Sequence, residues 1–168
     1  YAEELKWLTT DTTRMSWIAN TIKDIATSGN TLILVDRISA GELLEKKIKD
    51  SVFVSGSTKN IERKEQYDEI STATNKVIIA TYGVAAVGIN IPRIFNLVLI
   101  EPGKSFVRVI QSIGRGIRKA QDKDSVQIWD ITSSCKFAKR HLGARKKFYK
   151  EANYPYNIEK INYENPYT

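Results

Sequence analysis

The sequence predicts an α/β domain: a doubly wound, mostly parallel sheet with a basic C-terminal helix. The first observation is a series of short apolar runs, Thr31–Asp36, Val52–Val54, Lys76–Ala80, Leu97–Ile100 and Val126–Ile131. Most are near-continuous in Val, Ile and Leu, the pattern of strands buried on both faces of a parallel sheet. The second is that helical periodicity fills the intervals, which argues for βαβ units joined by right-handed crossovers. The third is size, since 168 residues suit one domain with mass enough for a core.

Residues 1–10 carry Leu5, Trp7 and Leu8 without a clean period and are expected to form a loosely packed linker from a preceding domain. Thr12 or Thr13 can cap a helix to about Ser28, in which Met15, Ile18, Ala19, Ile22, Ile25 and Ala26 recur at helical spacing before Gly29 ends it. After the first strand, Ile38–Asp50 reads as a helix with Leu43, Leu44 and Ile48 inward. The second strand closes in the hydroxyl-rich turn Ser55–Thr58, and the polar stretch to Ile70 reads as an exposed helix anchored by Ile61, Tyr67 and Ile70. The third strand leads into a small-residue loop, Thr81–Pro92. A helix carrying Gln111–Arg118 lies between the last two strands, and Lys136–Lys150 forms the basic helix. The tail, 151–168, places Tyr154, Tyr156, Tyr163 and Tyr167 beside Pro155 and Pro166 and is expected to be poorly ordered, its tyrosines packing back or meeting another domain.

Lys and Arg number 26 against 19 acids, a net charge of +7 that favours a polyanionic partner such as nucleic acid. No apolar run approaches a membrane span and the first residues are no signal peptide, so a cytoplasmic location is expected. Cys135 is the single cysteine and His141 the single histidine, which excludes an internal disulfide and a classical zinc site; no metal site is expected. Because the chain opens abruptly and without methionine, it is expected to be part of a longer polypeptide.

In a parallel sheet the loops at the strands' carboxyl ends line one edge, where ligands bind. Here they are Asp36–Ser39, Ser55–Thr58, Thr81–Asn90 and Glu101–Ser105. Within Gln111–Arg118, reading Gln-Ser-Ile-Gly-Arg-Gly-Ile-Arg, a rotation of about 100° per residue brings Gln111, Arg115 and Arg118 within roughly 60° of one another. Two arginines on one helix face also describe an ordinary solvated surface. The loop Thr81–Pro92 adds meaning, because open backbone N–H groups after a parallel strand are where phosphates dock.

Together these stretches resemble the second RecA-like domain of superfamily 2 helicases. Gln111, Gly114, Arg115 and Arg118 match every fixed position of that family's motif VI, Gln-x-x-Gly-Arg-x-x-Arg. Thr81–Pro92 looks like motif V, with Asn90 where many members carry aspartate. Within the family the chain is most similar to the recombination and repair helicases of T-even-type phages, over about residues 1–150.

That resemblance implies a divided chemistry. Such motors hold the phosphates and metal in a first RecA-like domain and reach across a cleft with motif VI of the second. No Gly-x-x-x-x-Gly-Lys-Ser/Thr and no strand-borne Asp-Glu pair occur here. ATP and Mg2+ are therefore expected to be held mainly by an N-terminal RecA-like domain of the same polypeptide, and the isolated chain to be inactive. The family likeness implies Arg118 as an arginine finger, Arg115 beside it on the phosphates, Gln111 at the same interface, and Gly88 with Asn90 on the nucleotide edge. It also implies that DNA, possibly branched, or an RNA–DNA hybrid runs along Arg37 with Ser39, Ser55 with Gly56, and Thr81. Hydroxyls and glycine N–H groups touch phosphates rather than base edges, so sequence specificity is not expected.

From Lys136 to Lys150 seven basic residues and no acid are interleaved with Phe137, His141, Phe148 and Tyr149. This suits a duplex or junction backbone, with Lys146 and Lys147 in contact, and equally a solvated helix seated on the sheet by its aromatic residues. The expected function is the carboxyl-terminal motor half of an ATP-dependent helicase or translocase acting on branched nucleic acids in recombination, repair and replication. The alternative is a stand-alone nucleic-acid-binding module with the same fold and no ATPase role. A Rossmann-type enzyme is disfavoured because no Gly-x-Gly-x-x-Gly opens a helix.

Overall fold

Parallel pairing throughout joins β1 (Thr31–Val35), β2 (Val52–Val54), β3 (Val77–Thr81), β4 (Asn96–Ile100) and β5 (Gln127–Ile131) in the order β2-β3-β1-β4-β5. The computed structural model describes residues 2–56, 75–86, 94–103, 109–110, 126–133, 135–151, 154 and 156–159. The helix expected before Ile70, the Gln111–Arg118 helix and most of the tail lie outside them. Around the sheet stand α1 (Ala2–Thr10), α2 (Thr12–Ala26), α3 (Ile38–Lys47), α4 (Tyr82–Ala86) and α5 (Lys136–Glu151).

The period of two along each strand divides the core between two faces. Leu32, Leu34, Ile78, Ala80, Leu97 and Leu99 point to one face, which α4, Val109, Ile110 and Tyr149 of α5 cover. Ile33, Val35, Val77, Ile79, Val98 and Ile100 point to the other, against Met15, Ile18 and Ile22 of α2 and Leu44 of α3. Each face buries side chains worth roughly 1.5–3 kcal/mol apiece, which makes the register hard to slip.

Several boundaries differ from the sequence expectation. Residues 2–10 form a helix rather than a loosely packed linker: Leu8 is buried, and the Glu4 carboxylate accepts the N–H groups of Phe137 and Ala138, both at 3.0 Å. Those are orphan donors of the first turn of α5, so α1 caps a helix far from it in sequence and complements its dipole. The cap of α2 is Asp11, not Thr12 or Thr13; its side chain accepts the Arg14 N–H at 2.9 Å. Helix α3 stops at Lys47, and Asp50 then turns the chain with φ 63. Gly29 follows α2 with φ +154, and a Cβ there would lie 2.7 Å from the Phe95 ring, so only glycine fits.

Candidate functional site

Because all five strands are parallel, their carboxyl ends share one edge, and the register fixes which residues meet there. Val35 pairs with Thr81 and Val54 with Ala80. Ser55, one residue beyond Val54, therefore stands beside Thr81, and Arg37 follows two residues after Val35. With neighbouring strands about 4.8 Å apart, Ser55 and Gly56, Thr81, and Arg37 with Ser39 rise from three adjacent strand ends.

Their local chemistry differs. Gly56 and Ser39 are exposed, while Ser55 is buried. The Thr81 hydroxyl accepts the Val84 N–H at 3.2 Å and so caps α4, leaving its O–H free to donate elsewhere. Arg37 is half-buried, and its guanidinium reaches the carbonyl of Ala2 at 3.4 Å, close to α1. No side chain caps α3, whose N-cap position is Arg37 itself, so its first N–H groups face the same edge. Gly88, Asn90, Gln111, Arg115 and Arg118 lie outside the described residues.

Two buried ion pairs brace the other half of the edge. Arg14, buried in α2, donates to the Glu101 carboxylate and to the Leu8 carbonyl, and Thr132 donates to the second Glu101 oxygen at 3.2 Å. Burial pushes the Glu101 carboxyl above its usual range, against the opposing pull of the Arg14 guanidinium. Glu101 also adopts φ 46, and its N–H donates to the Ile131 carbonyl at 2.9 Å, tying the end of β4 to the end of β5.

In the second pair Arg145 donates to both oxygens of Asp130 and to the Pro102 carbonyl at 2.6 Å, while the Tyr149 hydroxyl donates to Asp130 at 2.7 Å. Burial, and then the Asp130 carboxylate, raise the Tyr149 phenol well above its ordinary range. Tyr82 donates its hydroxyl to the Ile100 carbonyl at 3.0 Å, and burial raises its phenol too. Arg145 is thus removed from the cations expected to face a backbone, because its charge is spent inside the fold. Lys147 is exposed and Lys146 half-buried on the same helix.

Neither of these two ion pairs is foreseen in the sequence expectation, although a signal for one was present. Arg14 sits four residues before Ile18 on the apolar stripe of α2, where an unpartnered charge is too costly to persist. Among the described residues no group of three or more His, Cys, Asp or Glu side chains is placed to hold a metal ion, and no helix is long and apolar enough to cross a membrane. The sequence also holds no Gly-x-x-x-x-Gly-Lys-Ser/Thr phosphate loop.

The sequence model of the helicase conserved C-terminal domain matches residues 13–120. The ATP-dependent DNA helicase UvsW of Enterobacteria phage T4 is 29% identical over 153 residues, 88% of this chain and 30% of that protein. A putative helicase of a Sulfolobus islandicus filamentous virus is 33% identical over 104 residues, 60% of this chain and 18% of its own. The chain thus spans less than a third of the length of these curated relatives. Among solved structures, T4 UvsW superposes with a TM-score of 0.82 at 24% identity, covering 97% of this chain and 37% of that one. The C-terminal domain of the DEAD-box protein Dbp5 gives 0.61 at 22% identity, over 79% of this chain and 78% of that one. These likenesses show the RecA-like helicase C-terminal fold.

Proposed function

Because the chain belongs to the helicase conserved C-terminal domain family, we propose that it is the second motor half of an ATP-dependent DNA or RNA–DNA helicase or translocase. Its substrates on this reading are branched nucleic acids handled in recombination, repair and replication. The observation that carries the proposal is the strand-end edge: parallel register sets Ser55 with Gly56, Thr81, and Arg37 with Ser39 on adjacent ends, a track of hydroxyls and N–H groups suited to phosphates. The family match extends across Gln111–Arg118, whose arginines would face ATP held by a preceding RecA-like domain.

In this scheme the bound nucleotide and Mg2+ supply the phosphoryl group and neutralise its charge. This chain's own residues act on what develops in the transition state. Arg118 is the finger that stabilises charge on the transferring oxygens, with Arg115 beside it and Gln111 at the same interface. Gly88 and Asn90 line the nucleotide edge. The strand-end residues grip one nucleic-acid backbone without reading bases, as translocation along any sequence requires.

The test is Arg118→Ala in the two-domain protein. ATP turnover is expected to fall by about 10³-fold or more, with single-strand affinity within a few fold of the parent. Normal turnover would remove the finger assignment and with it the motor reading.

A further inference from the structure

We propose that the outward face of α5 is a docking strip for the phosphate backbone of duplex nucleic acid, separate from the single-strand track at the strand ends. It rests on the reading of the chain as half of a nucleic-acid motor. Taking about 100° per residue, Lys136, Lys139, Arg140, Lys147 and Lys150 fall in one sector roughly 100° wide. All five are exposed. From Lys136 to Lys150 the strip is about 21 Å long at 1.5 Å per residue.

The rotation of the helix that creates this strip is fixed from inside. On the opposite side Ala138, His141, Arg145 and Tyr149 are buried, Arg145 is tied to Asp130 and Pro102, and Glu4 holds the first turn. The cations therefore sit on a rigid support, so their entropic cost of ordering against a ligand is confined to the side chains.

Among the described residues the strip differs from the cations on and beside α2 and α3. Lys46 and Lys49 lie near the exposed acids Glu42 and Glu45 along the chain. Between Lys136 and Lys150 no acid intervenes, and the one acid of the helix, the exposed Glu151, follows the last cation. At the centre stands Gly143, exposed, with nothing within 4 Å of where a Cβ would be, so a polyanion can approach the helix backbone between the cations.

The occupant follows from what the strip lacks. Single strands are held by bases stacked on aromatic side chains between backbone contacts. On α5 the aromatic rings are engaged elsewhere: Tyr149 is buried, Phe148 packs edge-on to Tyr149 and Tyr154, and Phe137 lies under its own cations, Lys136 and Arg140, at 5.6 and 5.5 Å. A straight row of charge without a stacking platform fits a rigid double helix, which carries about one negative charge per 1.7 Å of axis.

The experiment compares the chain carrying Arg140→Gln, Lys147→Gln and Lys150→Gln with a charge-matched control carrying Lys23→Gln, Lys46→Gln and Lys49→Gln. Binding to a blunt DNA duplex, to oligo-dT and to phosphatidylserine vesicles is titrated at several salt concentrations. The strip variant is expected to flatten the duplex salt slope by about three, and the control by less than one. Oligo-dT affinity is expected to change by only a few fold. Equal flattening in both variants, strip-dependent binding of oligo-dT alone, or strip-dependent binding of vesicles alone would each overturn the proposal. If the parent binds oligo-dT and the strip variant keeps its duplex slope, the proposal fails while the motor reading stands. A parent that binds neither nucleic acid removes both.

Discussion

Arg145 grips Asp130 with two parallel hydrogen bonds, Nε to Oδ2 at 2.7 Å and Nη2 to Oδ1 at 2.9 Å, from a wholly buried position. The pair joins α5 to β5, and the Tyr149 hydroxyl and the Pro102 carbonyl add further hydrogen bonds to it. An ion pair in this setting gains little over an apolar replacement, but a single partner left behind is costly.

Arg145→Ala is accordingly expected to lower stability by about 3–5 kcal/mol, because Asp130 loses its counter-charge. Arg145→Lys should recover little of this, since an ammonium cannot supply the planar fork. Tyr149→Phe removes one hydrogen bond to a charged group and should cost about 1.5–3 kcal/mol. Urea unfolding measures all three; a loss under 1 kcal/mol for Arg145→Ala would show that α5 is held by its apolar contacts instead.

Glu101 gives a pH prediction with a definite sign. Its carboxyl titrates above the ordinary value in the folded state, so the stability tied to its protonation is fully present below the unfolded value near 4.5. That contribution is lost as pH rises through the folded value. Relative to a Glu101→Gln variant, the parent should therefore lose stability across this window. Unfolding midpoints of both proteins at a series of pH values check it, and a difference that grew in the parent's favour with pH would contradict the assignment.

At Gly41 two effects oppose. Alanine in a helix interior is ordinarily favoured over glycine by about 1 kcal/mol. Here a Cβ would lie 2.4 Å from the Phe53 ring, and overpacking typically costs 1–3 kcal/mol. Gly41→Ala is expected to destabilise the fold, and Gly41→Ala with Phe53→Leu to recover most of the loss. Additive effects in that pair would mean that the close approach is not what selects glycine.

For the motor reading, Arg118→Lys in the two-domain protein should resemble Arg118→Ala in turnover, because a point charge does not engage two phosphate oxygens together. Near-parental turnover with lysine would leave Arg118 a role in long-range electrostatics only.

The apolar runs by themselves determined the strands, the burial of β1, β3 and β4 on both faces and hence a parallel sheet, because side-chain period and hydrophobicity act locally, whereas the edge strand β5 is partly exposed. The same holds for the basic helix, expected over Lys136–Lys150 and found over Lys136–Glu151. Strand order, the burial of Arg14 and Arg145, and the helical state of residues 2–10 were decided only by tertiary structure. Arg14 meets Glu101 across 87 positions and Arg145 meets Asp130 across 15, and no local pattern carries such a pairing. Nine residues are too few to hold a helix in water alone, so α1 exists through Leu8 in the core and Glu4 on the end of α5. Asp11, Thr12 and Thr13 are all competent caps by type, and where the chain turns into α2 selected Asp11. Which cations of the Lys136–Lys150 run face solvent was likewise settled by one buried guanidinium, since fixing Arg145 inward fixes the rotation of every other residue on the helix.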